Sequence, residues 1–559
     1  MKKLSKGVAR ALDSIGLKRP IKSGLNTILA AGGLPPVGDP RVFRDLERLA
    51  ATPRPRPDRA AGRILFFSMR GWTTHVAVET MLAEAVAQRG MEPLFFTCGG
   101  PLPLCGITNF RADDPTPCGD CHGYVSRFLE LLGFPVTTLA ELVSAGERRA
   151  VEQRVTALPD AALETHEEDG FAFGRMVRTS VLWFLLRGTR EDSERWRATY
   201  RSFLVAAGLI RLASERLLAR TRPDRVFCLN GLFFAERVLR EVAARRGIPV
   251  TTYERGFMPD SWVFFHDGVA CDYPIADDFR AIADRPLDQR QSARVAGYLE
   301  ERTRGGVDAG QYWPVMEARR QAVLDELGLD PERPIVSAFT NITWDSAVLD
   351  HDVAFDSMFD WLERSIRFFA DRDDGQLVIR THPAEVRLPG QETAQQVPDA
   401  LAERLGGIPE QVRIVDASSG LSSYTLGAMS RFAIVYTSTI GLELAATGIP
   451  VVVTGDTHYR GLGFSVDIDD RDGYPTQLDL LLTAESPRPD TELARRYAHF
   501  FFFRFMIPLG VTHEIEGKQV RIPLESFERL APGNDPGLDA VADGLVHGRA
   551  IFLPDAPGD

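Results

Sequence analysis

The chain has 559 residues, 44% hydrophobic and 25% charged, a globular balance with apolar surface for about two or three packed domains. A net charge of -12 argues against a general nucleic-acid binder, and no apolar run reaches the roughly 18–20 residues that span a bilayer. Six cysteines are too few for a disulfide scaffold and point to a reducing cytoplasm, and the basic start lacks the sustained apolar core of a secretory leader.

Residues 1–33 carry Lys2, Lys3, Lys6, Arg10, Lys18, Arg19 and Lys22 against the single acid Asp13, with Leu4, Val8, Leu12 and Ile15 on one helical face. Such a basic amphipathic helix either lies on an anionic membrane surface or docks on the protein's own body. Residues 34–61, with Pro35, Pro36, Pro53, Pro55 and Pro57, read as a linker. A first α/β domain then spans 62–277. Residues 63–68 (RILFFS) predict a buried strand, a helix follows over 76–89, and 92–97 (EPLFFT) predict a second strand. That is the βαβ start of a parallel sheet. His75 sits in the first strand-to-helix loop, at the sheet edge where open α/β sheets bind ligands. It is a candidate acid, base or substrate contact, with a structural histidine as the alternative.

Cys98, Cys105, Cys118 and Cys121 follow in a Gly/Pro-rich insert at 98–122, with His122 beside the last. One C-x-x-C pair with two outlying cysteines is half of the strong zinc signature. Four thiolates in so short a span can clip the loop around a structural zinc or, less readily, an iron–sulfur cluster. The alternative is reduced cysteines packed as small apolar side chains.

Residues 124–218 are mostly helical and carry no motif. Strands are expected at 225–229 and 250–253, the second running into Glu254-Arg255-Gly256. Glu254 stands where a cleft enzyme places a catalytic carboxylate, or else it pairs with Arg255. Helices over 278–330 bridge to a second domain at 331–485. Its first strand, 335–340, leads into Asn341-Ile342-Thr343-Trp344-Asp345, and the next helix puts Phe355, Met358, Phe359, Leu362, Ile366 and Phe369 on a core face. Strand 376–380 ends on Arg380 and runs into Thr381-His382-Pro383, a cation and an imidazole suited to a pyrophosphate. After strands at 412–415 and 432–436 comes the turn Thr437-Ser438-Thr439, then Gly441 and Glu443 on a short helix, then strand 451–453. Hydroxyls and free N–H groups at a helix start suit a phosphate, and Glu443 could reach a ribose; an ordinary βαβ turn is the alternative. The polar loop 455–461 could close one wall. C-terminal helices and a tail occupy 486–559, with the aromatic run 495–508 read as a buried helix near the domain junction, a membrane-surface contact being the alternative.

These halves predict two Rossmann-like α/β domains facing across a cleft, the GT-B architecture. TNITWD (340–345), IRTHPAE (379–385), YTSTIGLELAATGIPVVV (436–453) and GDTHYRG (455–461) together resemble the bacterial capsule polysaccharide biosynthesis proteins, a group related to the Kdo transferases of capsule export. The resemblance covers about 335–508 well and extends weakly to Glu254-Arg255-Gly256; the cysteine insert and the basic N-terminal segment are not part of it. It implies a metal-independent, nucleotide-sugar-dependent glycosyltransferase acting on a capsule-type polysaccharide or glycolipid, in the cytoplasm or at the inner face of the membrane. By that resemblance Asn341, Asp345, Arg380, His382, Ser438, Thr439, Gly441 and Glu443 hold the donor, while Glu254, with His75 second, supplies catalysis beside the acceptor. Two other readings stay open: another GT-B enzyme, such as a glycerophosphotransferase or a sugar-nucleotide epimerase, and a non-catalytic scaffold of envelope assembly.

Overall fold

The computed structural model describes residues 40–304, 319–483, 488–515 and 519–554. The basic segment 1–33 lies outside the described residues. Two α/β units each form around their own sheet. In the first, β1 (Gly62–Ser68), β2 (Met91–Thr97), β3 (Val136–Thr138), β4 (Arg225–Leu229) and β5 (Val250–Arg255) run parallel in the order β3-β2-β1-β4-β5. Then β6 (Ser261–His266) returns antiparallel beside β5. The apolar runs of these strands are continuous because both faces are covered. Ile64 and Phe66 pack with the helix Thr73–Gln88, while Leu65 and Phe67 pack with the long helix Glu194–Thr221 on the other face.

The second sheet is wholly parallel: β7 (Ile335–Phe339), β8 (Gln376–Arg380), β9 (Val412–Val415), β10 (Phe432–Val435), β11 (Val451–Val453) and β12 (Val466–Asp467). Its order is β9-β8-β7-β10-β11-β12, the doubly wound pattern in which strand order reverses once, between β7 and β10. The architecture is therefore the expected one, two Rossmann-like units facing across a cleft.

The C-terminal region differs from a separate set of helices and tail. Helix Thr491–Phe500 passes into a π-turn, Phe501–Phe505, and β13 (Ile507–Pro508) then pairs antiparallel with β6. The chain thus crosses from the second unit back to the sheet of the first. Leu538, Val541 and Leu545 of helix Pro536–His547 join the core that covers the outer face of helix Thr73–Gln88, and Arg89 donates to Asp543 at 3.0 Å. Aromatic periodicity alone does not show that a helix ends by handing its chain to a distant strand.

The linker expected at 34–61 also contains more than a linker. Pro40–Ala50 is a helix whose Val42, Phe43, Leu46 and Leu49 are buried, with Phe43 edge-on to Tyr124 and Phe128 at 5.4 Å each. A proline is tolerated at a helix start because its missing N–H would be unpaired there anyway. Asp45 accepts from the Arg521 guanidinium at 2.9 Å and the Ile522 amide at 3.2 Å, tying this helix to the C-terminal region. Phe43→Ala is expected to cost about 3–5 kcal/mol, the usual penalty for emptying a buried phenyl site. Urea unfolding monitored by circular dichroism measures it; a loss near zero would mean that this helix is detached from the core.

Candidate active site

Ligands of doubly wound sheets sit beyond the strands' carboxyl ends, at the point where strand order reverses. In the second unit that point lies between the loops after β7 and β10, the segments holding Asn341, Asp345, Ser438 and Thr439. These loops form one wall of a cleft of about 540 Å³, together with His382, Glu443 and Asp456; Glu254, Arg255, Phe257, Asp272 and Trp183 of the first unit form the other. Asn341 ties the two loops by accepting the Thr437 amide at 3.4 Å. Gly441 works from behind the wall. A Cβ there would sit 2.2 Å from the Tyr459 hydroxyl, which itself donates to the Ser438 carbonyl at 2.8 Å. A glycine is thus needed so that Tyr459 can brace the hydroxyl-bearing turn.

His382 follows β8 at the cleft floor. Its Nδ1 accepts the Ala384 amide at 3.1 Å, which leaves the proton of the neutral ring on Nε2. Burial, with Arg380 and Arg302 nearby, lowers its pKa to about 4, so it is a neutral donor at physiological pH. Arg380 departs from the expected phosphate contact. Its guanidinium is buried and donates to the carbonyls of Asp416 at 2.6 Å and of Ser419 and Leu421 at 3.3 Å. It braces the loop after β9 and contributes charge to the cleft floor. Glu443 differs in the same way. One of its oxygens accepts Tyr298 at 2.8 Å and Arg302 at 3.0 Å, the other Tyr424 at 2.7 Å. Its carboxylate is a hub within the protein, largely engaged before any ribose arrives.

Glu254 lies near the carboxyl end of β5 and reaches the cleft. Its oxygens accept the Asn230 side-chain amide at 2.9 Å and the Arg255 backbone amide at 2.8 Å. The Arg255 guanidinium instead donates to Glu514 at 2.9 Å, so the expected alternative of a Glu254–Arg255 ion pair is not what holds this carboxylate. Burial raises the Glu254 pKa, the Arg255 amide, Asn230 and the Arg255 charge oppose the rise, and Asp345 across the cleft adds to it. His75 is not brought to the cleft. It packs edge-on to Trp262 at 5.2 Å and against Trp72 at 5.3 Å, and burial with Arg255 and Arg70 nearby lowers its pKa to about 3. The reversal point of the first sheet, between β1 and β4, is filled by the buried pair Arg70–Glu236, at 2.5 and 3.1 Å. The ligand-binding edge expected around His75 is therefore closed by the protein's own side chains.

Sequence reasoning missed Tyr298, Arg302, Tyr424, Asp272 and His351, all of which line the cleft. Tyr298 and Arg302 lie four residues apart on the bridging helix Gln289–Thr303, a spacing that puts them on one face but marks no chemistry. His351 of the second unit meets Asp272 of the first at 3.3 Å, and Trp183 and Trp344 pack edge-on at 6.2 Å between the units. Cys98, Cys105, Cys118 and Cys121 line a separate small cavity beyond β1 and β2. Burial raises Cys98 to about 11 and Cys121 to about 12. Among the described residues, no group of three or more His, Cys, Asp or Glu is placed to hold a metal ion.

No protein-family model matches the chain, and no curated protein matches it. Solved structures similar to it include the Thermosulfurimonas dismutans KpsC beta Kdo 2,7 transferase, at 15% identity and TM-score 0.33, covering 56% of this chain and 86% of that one. The beta Kdo 2,4 transferase of the same protein matches at 12% identity and TM-score 0.34, over 55% and 87%. A putative UDP-N-acetylglucosamine 2-epimerase from Listeria monocytogenes matches at 10% identity and TM-score 0.28, over 89% and 98%. At these scores the fold assignment rests on the strand orders and the cleft described above.

Glu385, three residues after His382, is fully buried, and neither carboxyl oxygen has a hydrogen-bond partner of normal geometry. Burial raises its pKa to about 8, opposed by the Val397 amide. Between the unfolded value near 4.5 and about 8, the folded chain keeps a proton that the unfolded chain has released. This carboxyl therefore favours folding most at low pH and loses that contribution as pH rises. Glu385→Gln removes the titration: the variant should match wild type near pH 4.5 and exceed it increasingly toward pH 8, by at most about 1.4 kcal/mol per pH unit. Denaturant melts across that range test it; a difference independent of pH contradicts it.

Proposed function

We propose that the chain is a nucleotide-sugar-dependent glycosyltransferase acting on a capsule-type polysaccharide or glycolipid acceptor, with the donor on the second unit and the acceptor on the first. One observation supports it above the others: a half-buried carboxylate from the first unit, Glu254, lines the same cleft as the hydroxyl- and imidazole-bearing loops at the second unit's reversal point. Ser438, Thr439 and the Nε2–H of His382 would hold the phosphates, with Arg380 and Arg302 supplying positive field. Glu254 would take the proton of the acceptor hydroxyl as that oxygen attacks the anomeric carbon. The bond from that carbon to the phosphate oxygen breaks, and the phosphate leaves with its electron pair, stabilised by the same donors. The capsule-type acceptor and its presentation at the inner face of the membrane follow the motif resemblance.

A thermal-shift panel with CMP, CDP, UDP, GDP and TDP tests the donor site. A ligand that binds only the folded chain adds about 2.7 kcal/mol of stability at a hundredfold excess over its Kd. One nucleotide is expected to raise Tm, and His382→Ala to abolish the rise; no shift with any nucleotide overturns the reading.

A general base must be ionised to act, so kcat/KM should fall as pH drops through the Glu254 pKa, which burial has raised above the ordinary glutamate range. Asn230→Ala removes a hydrogen bond that favours the ionised form, so it should move this acidic limb to higher pH. An unmoved limb would place the base elsewhere.

A further inference from the structure

The four cysteines of the insert have no part in the proposed transfer, yet the fold brings all of them to one cavity. Cys98 lies directly after β2, Cys118 and Cys121 lie in the first turn of the helix Cys118–Leu132, and Cys105 comes from the loop between. A backbone amide is directed at one of the sulfurs: Gly71, in the loop after β1, donates to Cys121 Sγ at 3.1 Å. The loop lies close on the helix start: a Cβ on Gly71 would meet the Cys121 carbonyl oxygen at 2.9 Å and its Sγ at 3.2 Å. A neutral thiol accepts such a donor weakly, whereas a metal-bound thiolate gains from it, because N–H groups stabilise the charge remaining on sulfur.

A single tetrahedral ion does not fit this ring. Zinc–thiolate bonds of about 2.3 Å draw four sulfurs to within about 4 Å of one another, and among the described residues no cysteine group is gathered to hold one ion. An iron–sulfur core presents its ligand positions on separate irons and so takes four thiolates standing further apart. We propose that Cys98, Cys105, Cys118 and Cys121 ligate an iron–sulfur cluster, in preference to the structural zinc that their spacing first suggests. Its place in the fold gives it a structural role. The insert carries Asn109, whose side chain donates to the Gly390 carbonyl of the second unit at 2.8 Å, and Phe110, which packs with the small core containing Ile342 and Trp344. A cluster at the root of this insert would hold that interdomain contact in place.

The test is metal and sulfide analysis of the full chain purified without oxygen, with its visible spectrum. The expected result is about two to four irons with matching acid-labile sulfide per chain and a broad visible band bleached by dithionite. Cys118→Ser should lower the iron at least tenfold, whereas Cys228→Ser, in β4, should retain it. Should the Cys118 variant fail to fold, alkylation of the native chain decides: the four insert thiols should be protected until a chelator removes the iron. One zinc per chain, a Cys118–Cys121 disulfide, or four metal-free thiols that alkylate freely would each overturn the cluster.

Discussion

A buried carboxylate holds three segments of this protein together beneath its cleft. Glu443 accepts Tyr298 and Arg302 from the bridging helix and Tyr424 from the segment before β10, and it is only 2% exposed. A charge so buried is costly unless its lone pairs are satisfied, and removing one partner of such a set is far more damaging than replacing the whole. The hub therefore fixes the bridging helix against the second unit. That helix also packs Tyr298 against Phe502, at 4.2 Å between ring centroids, in the π-turn from which the chain returns to the first sheet. The relation of the two cleft walls runs through this cluster together with the direct contacts His351–Asp272 and Trp183–Trp344.

The two sheets share a winding but use it differently. In the second, the reversal between β7 and β10 is left open and lined by short polar side chains. In the first, the equivalent reversal is plugged by Arg70–Glu236, and the carboxylate that reaches the cleft, Glu254, stands one strand over, near the end of β5. An asymmetric pair of this kind suits one ligand held by phosphate contacts and another presented to a base. It also explains why His75, in the position that a Rossmann reading favours, is instead a packed, neutral ring among Trp72, Tyr253 and Trp262.

Much of this was legible in the sequence because buried parallel strands leave a strong signal. RVFCL, QLVIR and VRIV are continuous apolar or mixed runs between turn residues, and they lie where they were expected. What was not legible are contacts that depend on distant segments. Glu443 reads as a ribose ligand until Arg302 and the two tyrosines are seen on it, and Arg380 reads as an anion contact until its donors are seen on the carbonyls of 416–421. Pro35, Pro36, Pro53, Pro55 and Pro57 read together as a linker and hide the short helix Pro40–Ala50 that lies between them. Strands β6 and β13 are short, and their pairing joins residues about 245 positions apart, which no local pattern reports.

The central claim is a division of labour: the second unit binds the donor and Glu254 acts only in the chemical step. The most direct measurement sets calorimetric titration of the nucleotide that stabilises the chain beside the rate of sugar transfer, for wild type and Glu254→Gln. The account predicts an unchanged Kd and a turnover lower by about 10²–10⁴-fold, the usual worth of a positioned general base. A variant that loses binding and turnover in equal proportion, or neither, would contradict it.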